Sequence, residues 1–95
     1  MGDATKCERR EVLYRGHVQG VGFRYRCREI ASRFQVAGYV QNLADGRVHL
    51  VAEGEPQEVE RFLADVAAAF EVHIRQAVVT CDPASGEFGQ FVVRH

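Results

Sequence analysis

The segment Gly16-His17-Val18-Gln19-Gly20-Val21-Gly22-Phe23-Arg24 places three glycines within seven residues, between a strand-like run and a helix-like run, and ends on an arginine. Glycine adopts backbone conformations that other residues avoid and lets a ligand approach the main chain closely. The first N–H groups of a helix have no internal partner and carry the positive end of the helix dipole. A glycine loop that opens a helix is therefore suited to an anion, and Arg24 adds a planar guanidinium fork for phosphate or carboxylate. The plainer alternative is a tight strand-to-helix turn followed by one more solvated helix arginine.

Few other residue types offer chemistry. Cys7, Cys27 and Cys81 are odd in number and show no CxxC spacing, which argues against a zinc site or a disulfide framework. His17, His49, His73 and His95 are scattered, none at ligand spacing from another His or Cys, so no metal site is expected. The net charge of -1 argues against a protein whose main partner is nucleic acid. Positive charge is almost all arginine, eleven Arg against the single Lys6, which suits phosphate recognition but would equally follow from an arginine-rich genome. No apolar run is long enough to span a bilayer or to act as a signal peptide, so no membrane association is expected and the cytoplasm is the expected compartment. At 95 residues the chain is expected to form one domain, residues 9–95, behind a loose polar tail over residues 1–8, and to act as a monomer.

The elements that must hold the loop are legible from periodicity. Residues from about Arg9 to Val18 alternate, with Val12, Tyr14 and Val18 on one side, and read as a strand. Phe23, Cys27, Ile30, Ala31 and Phe34 then fall on one face of a helix. A second strand runs through about Asn42, and Asp45-Gly46 marks a hairpin into a third strand, Arg47 to Glu53, with Val48, Leu50 and Ala52 on one face. Pro56 opens a second helix, in which Val59, Phe62, Leu63, Val66 and Phe70 are core positions. Val72 to Thr80 reads as a fourth strand, Asp82 to Gly86 as a loop, and Gln90 to Arg94 as a short last strand.

This order implies an α+β chain, a ferredoxin-like α/β sandwich of βαββαβ plus a short C-terminal strand. Its sheet is expected to be antiparallel, with two helices on one face. If strand three inserts between one and two, the glycine loop and Asn42 end up on the same sheet edge, about 10 Å apart. The loop N–H groups, Arg24 and the Asn42 amide then face one small gap. Taken alone, Asn42 reads equally well as a turn former ahead of Asp45-Gly46.

Gly16 to Arg24, together with Gly38-Tyr39-Val40-Gln41-Asn42-Leu43-Ala44-Asp45-Gly46-Arg47-Val48 and the following Gly54, resembles the two signature segments of the acylphosphatases. The spacing between the segments fits, and the resemblance covers nearly the whole chain. It implies hydrolysis of the carboxyl–phosphate bond of acyl phosphates to a carboxylate and inorganic phosphate, without metal or organic cofactor. It also implies that Arg24 binds the substrate phosphate and that Asn42 positions the attacking water. The backbone of Gln19, Gly20, Val21, Gly22 and Phe23 would supply N–H donors. Family members often carry a basic residue at the position of His17, which could add positive charge near the site; an exposed loop histidine without a role is the alternative.

Two rival readings carry different tests. An RNA-recognition module shares the element order but places stacking aromatics on its central strands, and Arg47 to Glu53 has none. A phosphate-binding domain without turnover, as at the head of a larger carbamoyl-transfer protein, is opposed by the presence of both Arg24 and Asn42. A dinucleotide fingerprint fails, because Tyr25 occupies the third glycine position. Finally, the topology brings the start of strand one near the end of strand four, so a Cys7–Cys81 disulfide is conceivable under oxidation, although a cytoplasmic location argues against it.

Overall fold

Alternation along the strands and helical spacing between them bury one shared apolar layer. The computed structural model describes residues 6–95. Its elements run β1 (Glu8–Gly16), α1 (Phe23–Ala31), β2 (Val36–Asn42), β3 (Val48–Gly54), α2 (Pro56–Ala69), β4 (Ile74–Pro83) and β5 (Phe91–Arg94). The tail expected over residues 1–8 falls, for residues 1–5, outside the described residues, and β1 begins at Glu8.

The sheet order is β4-β1-β3-β2-β5, so β3 does insert between β1 and β2. Val12 and Tyr14 of β1, Val40 of β2 and Val48, Leu50 and Ala52 of β3 face the helices and are buried. Phe23, Cys27, Ile30 and Ala31 of α1 and Val59, Phe62 and Val66 of α2 close over them. Burial pushes the Cys27 thiol pKa well up, which leaves it an inert core residue.

Some boundaries and one strand pairing differ from the sequence expectation, each for a local reason. The first strand ends at Gly16, where the register with β4 shifts, but Val18 is still fully buried beneath the loop that follows. Helix α1 stops at Ala31, because the Ser32 hydroxyl takes the Glu29 carbonyl at 2.6 Å and the chain tightens, with the Phe34 N–H donating to Ala31 at 3.0 Å. Strand β4 starts at Ile74 and runs on to Pro83, since Glu8 at the start of β1 extends the ladder to that point. A proline is tolerated there because β4 is an edge strand. The sheet is mixed rather than antiparallel: β5 pairs in parallel with β2 at the opposite edge from β4.

Residues 84–90 carry the chain from one edge to the other across the sheet face opposite the helices. Val51 and Glu53 are consequently buried on that face too, which strand alternation alone does not predict. Phe88 of the crossing segment sits edge-on to Tyr39, with ring centres 5.8 Å apart. Gly38, next to Tyr39, must be glycine: its φ is 145°, and a Cβ there would overlap the Val51 carbonyl of the neighbouring strand.

The crossing segment is anchored on one buried carboxylate. Glu53 accepts from the Ser85 N–H and hydroxyl at 2.9 Å each, from the Gly86 N–H at 3.0 Å and from Arg9 at 3.4 Å. Burial alone would raise the carboxyl pKa, but these donors outweigh it and hold it below the ordinary value. The ionised form is therefore favoured in the folded state. Its stabilisation is complete above the unfolded-state pKa and is lost as pH falls through the lower folded-state value. Glu53→Gln is expected to lower stability by about 2 kcal/mol at neutral pH. Urea unfolding of both proteins should show that difference shrinking in acid, where the wild-type carboxyl is itself protonated.

Candidate active site

The site is built on a cross-strand row. Tyr14 of β1 pairs with Val48 of β3, and Val48 pairs with Asn42 of β2, so the three side chains share the helix-facing side of the sheet. Phe23, the first residue of α1, packs on Tyr14 with ring centres 5.1 Å apart and on Phe70 at 4.4 Å. The helix N-terminus is thereby pinned over the end of the sheet where Asn42 stands.

Between them the loop makes its turn through two glycines in the left-handed region, Gly20 at φ 77° and Gly22 at φ 78°. A Cβ on either would meet nothing within 4 Å, so the demand for glycine there is conformational, and the space beside the backbone is open. Alternation of left- and right-handed residues turns successive N–H groups to one side, which is the geometry of an anion nest. Gly22 caps α1 without a side-chain acceptor, and the first turn holds no acidic residue. Among the described residues, no group accepts from the N–H groups of residues 20–24. A cation, Arg24, instead sits in that first turn, where the helix dipole disfavours positive charge unless an anion is present.

Gly20, Gly22, Phe23, Arg24 and Asn42 line one cavity of about 110 Å³ with Val18 and Tyr25. Several waters occupy that much volume, at about 30 Å³ each, so one phosphoryl group and a water fit. Arg24 is held from behind: one guanidinium nitrogen lies 3.0 Å from the Arg94 carbonyl oxygen and 3.3 Å from His95 Nδ1. Its other N–H groups stay available, since guanidinium carries five donors. The Asn42 side-chain oxygen is buried and has no hydrogen-bond partner. A buried acceptor left unsatisfied costs about 1–3 kcal/mol, so this atom is poised for a donor that comes with a ligand.

Gln19 and Val21 are not among the residues lining the cavity. Val21 packs against the core. Gln19 has a role that sequence reasoning missed: its side-chain amide donates to the Leu43 carbonyl at 2.8 Å and to the Arg47 carbonyl at 2.9 Å. It thus ties the glycine loop to the β2–β3 hairpin that carries Asn42. Sequence offered little signal for it, since its acceptors lie 24 and 28 residues away. The hairpin is itself closed by Asp45, which accepts from the Arg47 N–H at 3.1 Å and Nε at 2.8 Å.

His17 does not join the cavity either. Its N–H donates to the His73 carbonyl at 2.9 Å, and with Arg15 and Arg75 it lines a separate groove on the β4 side. Cys7 and Cys81 are also kept apart. Arg10 faces Cys81 in the ladder, so Cys7 lies three positions away along the strand and on the other face, too far for a disulfide without backbone movement. Among the described residues, no three His, Cys, Asp or Glu side chains are grouped so as to hold a metal ion. No described helix is long and apolar enough to cross a membrane. A larger hollow of about 800 Å³, beside Pro56, Cys81 and Ser85, lies at the far end of the sheet. Volume does not decide between the two; the convergent donors and the unsatisfied amide belong to the smaller one.

A model of the acylphosphatase family matches residues 10–93. The chain belongs to the acylphosphatase family. It is 39% identical to an acylphosphatase from Methylococcus capsulatus over 92 residues, which cover 90% of this chain and 95% of that one. It is 48% identical to an acylphosphatase from Archaeoglobus fulgidus over 56 residues, 59% of this chain and 63% of the archaeal one. The crystal structure of acylphosphatase from Bacillus subtilis superposes with a TM-score of 0.83 at 28% identity, covering 93% of this chain and 99% of that one. An acylphosphatase is an enzyme that hydrolyses acyl phosphates, and this chain shares that activity through its family.

The Gln19 tether separates loop placement from loop chemistry. Gln19→Ala removes two hydrogen bonds and is expected to weaken inorganic phosphate binding about tenfold, while leaving the fold intact. Competitive inhibition by phosphate, read beside a thermal melt, checks both halves.

Proposed function

We propose that an acyl phosphate is hydrolysed in the cavity between the glycine loop and Asn42, with the phosphoryl group as the part that is gripped. The N–H groups of the loop and of the first turn of α1 hold the phosphoryl oxygens, and the Arg24 guanidinium neutralises their charge. Asn42 accepts a hydrogen bond from the attacking water through its side-chain oxygen and can donate to the phosphoryl group through its nitrogen. The water oxygen bonds to phosphorus as the bond from phosphorus to the acyl oxygen breaks. The carboxylate departs with the bonding electron pair, and the proton of the water passes to phosphate or solvent.

The observation that carries this reading is the buried, partnerless Asn42 oxygen in the same cavity as Arg24, Gly20 and Gly22. A neutral amide suffices because the leaving group needs little help: carboxylic acids have pKa values of about 4, so the leaving oxygen departs without a strong general acid. Positioning and charge neutralisation then do most of the catalysis. The scheme uses no metal and no organic cofactor, and it asks nothing specific of the acyl group.

The test is steady-state hydrolysis of benzoyl phosphate or acetyl phosphate with and without a chelator. Turnover unaffected by the chelator is expected. Arg24→Ala should reduce kcat/KM by about a hundredfold or more and weaken phosphate binding. Asn42→Ala should reduce kcat by a similar factor, about a hundredfold, with phosphate affinity largely kept. Wild-type rates equal to the blank, with phosphate still bound, would instead favour a phosphate-binding domain without turnover. Full activity in Asn42→Ala would remove the water-positioning role.

A further inference from the structure

The most exposed regular element of this chain is β4. Residues Arg75 to Pro83 are all exposed, Val78 and Val79 at 51% and 52%, although they belong to a strand of ten residues. Strand β1 is its one partner among the described residues, so its outer edge offers a full row of backbone donors and acceptors. Edge strands are usually kept from pairing by shortness, a central charge, a proline or a bulge. The opposite edge, β5, is short, with four residues. Strand β4 has none of these devices between Gln76 and Cys81: no charge, no proline, and a register that shifts only at the Arg15/Gly16 end.

We propose that β4 is the interface for a second copy of this chain, pairing antiparallel across a two-fold axis at Val79 to make one continuous ten-stranded sheet. Three features of the strand choose this occupant and this register. First, the sequence is matched about Val79. A two-fold there sets Val78 against Thr80, Ala77 against Cys81, and the Gln76 amide against the Asp82 carboxylate of the other copy. Each pair joins side chains of similar size or complementary hydrogen bonding. Second, charge favours the antiparallel arrangement. It sets each charged residue against an uncharged one, Arg75 against Pro83 and Asp82 against Gln76, whereas in-register parallel pairing would stack Arg75 on Arg75 and Asp82 on Asp82.

Third, Val79 ends an apolar row that already crosses the sheet. Val93, Val40, Leu50, Val12 and Val79 are successive cross-strand partners on the helix-facing side. Val40, Leu50 and Val12 are buried beneath the helices, and the row stops at Val79, which is half exposed. A two-fold through Val79 continues the row from one copy into the next. A closed two-fold contact of this kind uses the same patch on both copies and leaves β5 as the outer edge of each sheet. The monomer expected from the sequence is then the dissociated state.

Sedimentation equilibrium of the full chain from low micromolar to near-millimolar concentration tests the interface. The expected result is a reversible shift toward twice the chain mass. Val79→Lys places like charges face to face on the axis and should remain monomeric across that range, with wild-type kcat/KM for acetyl phosphate as proof of folding. A second variant fixes the register independently. In a Cys81→Ser background, Val79→Cys should form a covalent dimer on mild oxidation, and Ala77→Cys should not. A wild-type chain that stays monomeric throughout, a Val79→Lys dimer, or equal cross-linking from both cysteine positions would overturn the proposal.

Discussion

Phe23 lying on Tyr14 is the contact on which the carboxyl end of the sheet depends. Tyr14 is one strand away from Val48 and two from Asn42 along the same row, and Phe23 is the first residue of α1. One aromatic contact therefore sets the height of the helix N-terminus above the Asn42 amide. Phe70, at the end of α2, packs against Phe23 from the other side. The loop between β1 and α1 has both ends fixed by this packing, and its two left-handed glycines line the cavity that remains. The site is preorganised by hydrophobic packing beneath the loop.

Polar contacts then hold what packing leaves loose. Gln19 stitches the loop to the β2–β3 hairpin, so the glycine loop and the hairpin that carries Asn42 are tied together. Arg24 is steadied by the Arg94 carbonyl at the end of β5, and β5 is brought there by the segment that Glu53 anchors on the opposite sheet face. A single buried carboxylate on the far side of the sheet thus belongs to the same mechanical chain as Arg24. Two electrostatic problems are left open at the site itself: a cation in the first turn of a helix and a buried carbonyl oxygen without a donor. In the proposed mechanism a phosphoryl anion answers the first and a water the second.

Much of this was legible in the order of residues. Periodicity located every strand and both helices, because each buries one face and each period has its own spacing. The Asp45-Gly46 pair gave the hairpin, and two glycine-containing segments at the right separation gave the family resemblance. Boundaries were less legible. Ser32 ends α1 by competing for a carbonyl, β4 extends as far as its partner β1 does, and β5 pairs in parallel because residues 84–90 cross the sheet on the side that alternation leaves for solvent.

What the sequence by itself determined is the local chemistry: where glycine permits a left-handed turn, where a helix must begin, and which side chains can grip an anion. These follow from steric and hydrogen-bonding properties of individual residues and near neighbours. Only the tertiary structure decided which of these groups meet. Asn42 and Gly22 are brought together by the insertion of β3, Gln19 finds carbonyls 24 and 28 positions away, and His17 is turned toward His73 instead of the cavity. Such pairings depend on strand order and packing across the whole core, a property of the assembled sheet that no short stretch of chain contains.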